Sequence, residues 1–301
     1  MARLGFRHRR ARPELETLSV ATPHGSRKVV LPAHPVRAEP RRALILGFHG
    51  GHGSAVSFAG RSGLALAMHS EGHDIAFPQA VPHWADGRQR LEAGWPADRD
   101  FVETLIARQR AALGPGPMPM AMIGVSNGGM FAMRLALELP EPPALSVAVV
   151  AALPEALALR AESGPPAAML LVQATKDPVI PWAGGEVPQM AGFSVGGRLL
   201  GAEDTLAFWK RRNRVAGAPR EKRVRFGGTR AQLSFWPAPP GGADLWRIVL
   251  DGAGHRQLDA NPLKLNRGSL EAFIGRTVAS YVSSADSMGG QAAEKRDGPP
   301  E

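Results

Sequence analysis

Short, fully apolar runs alternate with stretches whose apolar residues recur at helical spacing along most of the chain. LETLSVA and RKVVLPAHPV flank His24-Gly25, which predicts a β-hairpin turning there. Ala43 to Phe48 is continuously apolar and runs into Gly50-Gly51, the pattern of a buried strand. From Ser54 to Met68, the positions Val56, Phe58, Leu64, Leu66 and Met68 predict one helix with Ser54 as its cap. HDIAFPQA reads as the next strand, and Phe101, Leu105 and Ile106 place Ala97 to Leu113 on a helix. MAMIGVS, LSVAVVAAL, AMLLVQAT and RIVLDG read as further strands. MFAMRLALEL, Glu203 to Asn213 and Leu263 to Val282 read as helices. Buried strands alternating with helices predict an α/β protein with a mostly parallel central sheet and helices on both faces. EKRVRFGGTRAQLSFWPAPPGG breaks the alternation and predicts an extra hairpin or loop excursion near the C-terminal end of the sheet.

Composition narrows the picture. Of 301 residues 44% are hydrophobic, enough for a sizeable core, and no linker or repeat interrupts residues 15–282, so these are expected to form one domain. Residues 1–14 read as a flexible basic segment and 283–301 as a disordered polar tail. The absence of cysteine removes thiolate nucleophiles, disulfides and Cys-ligated metal together. The net charge of +9 comes from scattered basic residues clustered only at Arg7 to Arg12, Arg37 to Arg42 and Lys210 to Arg214. Without base-stacking aromatics or a binding motif beside them, they read as solvated surface and not as a nucleic-acid footprint. The longest apolar run, Ala144 to Leu153, is too short for a membrane span. The charged opening lacks an apolar export segment, so a cytoplasmic location is expected. Oligomeric state is left open.

Gly124-Val125-Ser126-Asn127-Gly128 is a G-x-S-x-G pentapeptide between an apolar strand and a helix. That is the setting of a nucleophile elbow, where a tight turn lifts a serine hydroxyl above the sheet and the helix N-terminus favours an oxyanion. A serine needs a base, and the base an orienting acid. Eight of nine histidines precede Ser126; the ninth, His255, follows the strand RIVL in the loop DGAGH, where a base belongs. Asp177 opens the loop beyond AMLLVQAT and is the expected acid, with Asp204, Asp251 and Asp259 as weaker rivals. The oxyanion needs two donors: the backbone N–H of Asn127, and one from His49-Gly50-Gly51-His52, with Gly51 first and His52 second. The histidines of that loop lack carboxylates at ligand spacing, so no metal and no cofactor is expected.

FHGGHGSAVSF, GVSNGGMFAMRLA, ATKDPVIPWAGG, DTLAFWKRRN and DGAGH together resemble the polyhydroxybutyrate depolymerase-like and feruloyl-esterase-like α/β-hydrolases over Leu44 to His255. The resemblance implies the α/β-hydrolase fold and a Ser126, Asp177, His255 triad cleaving carboxylic esters without a cofactor. It also implies that Trp84 and Trp182 contact substrate, although both residues are equally readable as packing. The substrate is expected to be a small-molecule or oligomeric ester. A serine peptidase or acyltransferase on the same fold remains an alternative, as does, from another class, a silent polyanion-binding protein.

Overall fold

In a computed structural model of the chain, the described residues are 13–34, 42–187, 196–255, 258 and 268–287. The hairpin forms as expected: β1 (Leu15–Thr22) and β2 (Gly25–Pro32) pair antiparallel, with Thr22 opposite Gly25 at the turn. β3 (Leu44–Phe48) is wholly buried. The single helix expected from Ser54 to Met68 is two: α1 (Ala55–Arg61) and α2 (Leu64–Ser70). Gly63 between them takes a φ of 75°, a left-handed conformation that ends a helix, while the Ser62 hydroxyl accepts the Leu64 N–H at 3.3 Å. Ser54 does cap α1, accepting the Ser57 N–H.

β4 is only Phe77–Pro78, shorter than the strand expected from HDIAFPQA. Pro78 has no N–H to extend a ladder. β4 pairs antiparallel with β2, and Ala76 just before it bridges to Leu46 of β3 in parallel, so it joins the hairpin sheet to the main one. After a 3₁₀ turn at Gln89–Gly94 come α3 (Trp95–Leu113), with Pro96 in its first turn, then β5 (Met120–Val125) and α4 (Asn127–Glu138). β6 (Leu145–Val149), α5 (Glu155–Arg160), β7 (Met169–Ala174), the two-residue pair β8 (Gly185–Glu186) and β9 (Arg198–Leu199), and α6 (Ala202–Arg212) follow.

Of the two forms expected for the segment that breaks the alternation, the hairpin is the one observed, and it lies at one lateral edge of the main sheet. It is β10 (Arg220–Phe226) and β11 (Thr229–Trp236), a hairpin that widens the main sheet antiparallel to β12 (Leu245–Leu250). The sheet order is β10-β11-β12-β7-β6-β5-β3, with the five strands from β12 to β3 parallel. β10, the edge, carries Arg220, Lys222, Arg223 and Arg225, charges that discourage pairing with another chain.

Alternate residues of each parallel strand enter opposite cores. Ile45, Ile123, Val147, Leu170 and Ile248 pack toward α1, α2 and α7 (Leu270–Ser287). Leu46, Met122, Ala148 and Leu171 pack on the other side toward α3, α4 and α6. Burial on both faces explains why these strands read as unbroken apolar runs. α7 continues through Ser287, past the expected start of a polar tail at residue 283, while the predicted helix start at 263–267 lies outside the described residues. So do Asp259, the first twelve residues, and 288–301. No helix among the described residues is long and apolar enough to cross a membrane.

At the head of α7 the Ser269 hydroxyl accepts the Ala272 N–H, and Glu271, only 2% exposed, has its pKa raised chiefly by burial. A carboxyl whose folded pKa lies above its unfolded value stabilises fully below the ordinary glutamate range, and that contribution is lost as pH rises through the folded pKa. Glu271→Gln is therefore expected to match the wild-type melting temperature in acid and to exceed it at neutral pH, by about 1 kcal/mol. Melting curves at three pH values check this, and equal stability at neutral pH would refute it.

Candidate active site

The serine turn is built by close backbone approach. A methyl group on Gly124 would stand 2.0 Å from the Gly128 carbonyl oxygen, and one on Gly128 would stand 2.3 Å from that of Phe48. Only hydrogen fits at either position, which is why a strand, a serine and a helix can meet there. Ser126 has φ 55° and ψ −120°, outside the conformations L-residues prefer, and its N–H is held by the Val149 carbonyl at 2.9 Å. α4 begins at the next residue, so its free N–H groups face the serine.

Parallel strands bring the other two groups to the same edge. Asp177 follows β7 and His255 follows β12, the strand beside it. The two loops are tied together: Lys176 N–H donates to the Ala253 carbonyl at 3.0 Å, and Gly252 N–H to the Thr175 hydroxyl at 2.8 Å. His255 Nδ1 lies 2.7 Å from Asp177 Oδ2, and His255 Nε2 lies 2.9 Å from Ser126 Oγ. The other oxygen of Asp177 accepts the N–H groups of Val179 and Ile180 at 2.8 and 2.9 Å. A carboxylate fixed in this way accepts the Nδ1 proton, which leaves Nε2 bare to accept the serine hydroxyl. The rival acids lie elsewhere: Asp204 is in the first turn of α6, and Asp251 is exposed and pairs with Arg230 at 3.0 Å.

Ser126 and His255 open into a cleft of about 340 Å³, lined also by Gly50, Gly51, Ser57, Phe58 and Leu258. A methyl group on Gly50 would stand 3.5 Å from Ser126 Cβ, so the glycine loop runs directly beside the serine. His52 has φ 57°, and its ring meets that of His83 edge-on at 4.5 Å. Burial first, then the neighbouring His52 and Arg88, holds His83 below the usual histidine range against the pull of Asp86.

Trp84 is not a cleft residue. It is fully buried, stacked on Phe131 at 4.8 Å, edge-on to Phe48 at 5.2 Å, and its indole N–H donates to the His49 carbonyl at 3.1 Å. The expectation that it contacts substrate is corrected: an indole with its one donor satisfied inside a core packs. Trp182 is half-buried beside a second crevice that includes Asp177 and Ile180, with the Arg247 guanidinium 5.4 Å from its ring centre.

Sequence reasoning missed two networks, one buried and one half-buried, behind the glycine loop and the elbow. Asp86 and Arg88 form a buried ion pair at 2.7 Å, and Arg88 also donates to the Gly196 carbonyl. The Asn127 amide donates to Asp86 at 2.7 Å and to the Trp84 carbonyl at 2.9 Å, while its oxygen accepts the Trp84 N–H at 3.0 Å. Asp86 and Arg88 sit in a Gly-containing polar stretch and look solvated in sequence; only the return of the loop onto α4 buries them. The second network joins His49 to Gln79. Among the described residues no group of three or more His, Asp or Glu side chains is placed to hold a metal ion.

A mostly parallel sheet covered by helices on both faces, with a serine turn after one central strand and the loops of Asp177 and His255 after two others, is the α/β-hydrolase fold. No protein-family model matches the chain. It is 29% identical over 228 residues to NocK of Nocardia uniformis subsp. tsuyamanensis, a protein bearing an esterase name; the match covers 71% of this chain and 65% of that one. Among solved structures, acetyl xylan esterase from Aspergillus awamori superposes with a TM-score of 0.57 at 14% identity, over 80% of this chain and 94% of that one. Carboxyl esterase 2 from Tuber melanosporum superposes with a TM-score of 0.51 at 14% identity, over 93% and 90%. At such identities these two structures speak to the fold.

Proposed function

We propose that the chain is a serine carboxylic ester hydrolase working through an acyl-enzyme, of the polyhydroxybutyrate depolymerase-like or feruloyl-esterase-like kind that its motifs resemble. One observation carries the reading: the unbroken hydrogen-bond chain from Asp177 through His255 to Ser126 on a strained elbow at the mouth of a cleft. The likeness to NocK, in name an esterase, supports the same reaction class.

Ser126 Oγ attacks the ester carbonyl carbon as its proton passes to His255 Nε2. The carbonyl π pair moves onto oxygen, and that oxyanion is met by the N–H groups of Asn127 and Gly51, each such donor worth on the order of 3 kcal/mol. The tetrahedral adduct collapses: the carbon–oxygen bond to the alcohol breaks, and His255 returns the proton to the departing oxygen. Water, losing its proton to His255, then attacks the acyl-serine. The same steps in reverse release the acid and restore the Ser126 hydroxyl. Asp177 stays ionised throughout and stabilises the imidazolium formed twice per turnover. Glycines 50 and 51 let an ester approach the serine closely, and Phe58 and Leu258 offer an apolar wall suited to a small acyl or aromatic group.

Purified protein is expected to hydrolyse p-nitrophenyl acetate, butyrate or octanoate, or methyl ferulate, and to take a fluorophosphonate label. The ranking of the four esters reads the acyl preference. A folded protein that neither labels nor turns over any of them overturns the reading.

A further inference from the structure

The mechanism above leaves the buried, polar side chain of His49, near the serine, without a task. His49, 2% exposed, precedes the two glycines of the loop and borders the same cleft, and its ring nitrogens are bonded within the protein. Its Nε2 lies 3.2 Å from the Ala80 N–H donor and 3.2 Å from the Gln79 amide nitrogen. A backbone N–H can only donate, so Nε2 carries no proton and the ring is the Nδ1–H tautomer. Nδ1 therefore donates, and its partner at 2.8 Å is the Gly50 carbonyl oxygen. That oxygen also accepts the Gly53 N–H at 3.1 Å. Two donors thus hold the Gly50–Gly51 peptide from its carbonyl side.

In a trans peptide the C=O and the following N–H point in opposite directions. With the Gly50 oxygen held against the imidazole, the Gly51 N–H points away from it, and both glycines line the cleft with Ser126. Glycine at both positions makes this peptide free to flip, and a flipped peptide would present a carbonyl oxygen where a donor is needed. Gln79 holds the imidazole in turn. Its side-chain oxygen accepts the Ala55 N–H at 2.8 Å at the start of α1, and its amide donates to the Ala80 carbonyl at 3.0 Å. Burial keeps His49 below the usual histidine range, consistent with a ring that stays neutral and holds one tautomer.

We propose that His49 is a positioning residue: its Nδ1–H pins the Gly50 carbonyl so that the Gly51 N–H is preset for the oxyanion, with Gln79 fixing the ring. The inference rests on the esterase reading and adds to it a group that acts through the loop peptide.

The test uses the full-length protein and p-nitrophenyl butyrate. His49→Phe keeps a ring against Trp84 but has no donor, and is expected to lower kcat about 100-fold with KM within threefold, as loss of one oxyanion donor does. The His255 limb of the pH–rate profile should stay where it is, because the triad is untouched. Asn carries a donor at the position of Nδ1, so His49→Asn should recover at least about tenfold of that loss. Should His49→Phe not fold, Gln79→Leu reads the same network, with an expected drop in kcat of about tenfold at unchanged KM. Nitrogen NMR of the wild-type imidazole should report the Nδ1–H tautomer whether or not any ester is turned over. Wild-type kcat in folded His49→Phe or in Gln79→Leu, a shifted pH limb, no recovery in His49→Asn, or an Nε2–H tautomer would each overturn the positioning role. Wild-type protein with no turnover and no fluorophosphonate label instead removes the esterase reading beneath it.

Discussion

Ser126→Ala is expected to lower kcat for p-nitrophenyl esters by about 10⁴- to 10⁶-fold while leaving the fold intact. On the proposed mechanism the large loss follows from removing the atom that forms the acyl-enzyme: the proposed oxyanion donors and the cleft remain, but general-base attack by water on a bound ester is all they can assist. The small cost to stability follows from the geometry. Alanine meets the same φ of 55° as serine, so backbone strain is unchanged, and the one side-chain bond lost is the 2.9 Å contact to His255. Strained catalytic turns often gain stability when the reactive group is removed. The melting temperature should therefore stay within a few degrees of wild type, and fluorophosphonate labelling should vanish together with turnover. Residual activity above about one per cent of wild type in folded Ser126→Ala would falsify the nucleophile assignment.

Asp177→Asn is the second large effect, an expected loss of about 10⁴-fold in kcat at near-normal KM. The local hydrogen bonds decide which way the new amide points. Oδ1 of Asp177 accepts two backbone N–H groups, from Val179 and Ile180, whereas Oδ2 accepts one from the imidazole. Asparagine has a single acceptor oxygen, and two fixed backbone donors claim it over one side chain free to change tautomer. The NH₂ then faces His255 Nδ1, which must accept, so the ring proton moves to Nε2 and points at the serine hydroxyl it should deprotonate. Nitrogen NMR on the variant should show His255 as the Nε2–H tautomer, alongside a melting temperature close to wild type. A rate near wild type would overturn the assignment of Asp177 as the acid.

The buried strands were legible residue by residue because both faces of a parallel strand are covered, and continuous apolar runs such as Ala43 to Phe48 have few other uses. The elbow was legible for a related reason: Gly124 and Gly128 are demanded by contacts of 2.0 and 2.3 Å that any side chain would violate. The single histidine after Ser126 narrowed the base to one residue by order alone. Helix limits were less legible. Gly63 splits a pattern whose apolar spacing runs straight through it, since periodicity records which face is buried and not where φ changes sign.

What tertiary structure alone decided is which polar residues leave water. Asp86 and Arg88 belong to a stretch that local sequence marks as loop, Gln79 to the end of an expected strand, and Trp84 to a stretch that looked like a pocket wall. Asp86, Arg88 and Trp84 are buried and Gln79 half-buried because the chain folds back over α4 and the glycine loop, bringing together groups such as Asn127 and Asp86, 41 positions apart, and His49 and Gln79, 30 apart. Burying a polar group is tolerable only when every donor and acceptor is met, and those partners come from distant segments. Composition and periodicity carry the nearest-neighbour part of the physics and with it the strands, the elbow and the order of serine, acid and base. The fit of partners across the fold sets the tautomers, the orientation of single peptides and the shape of the cleft.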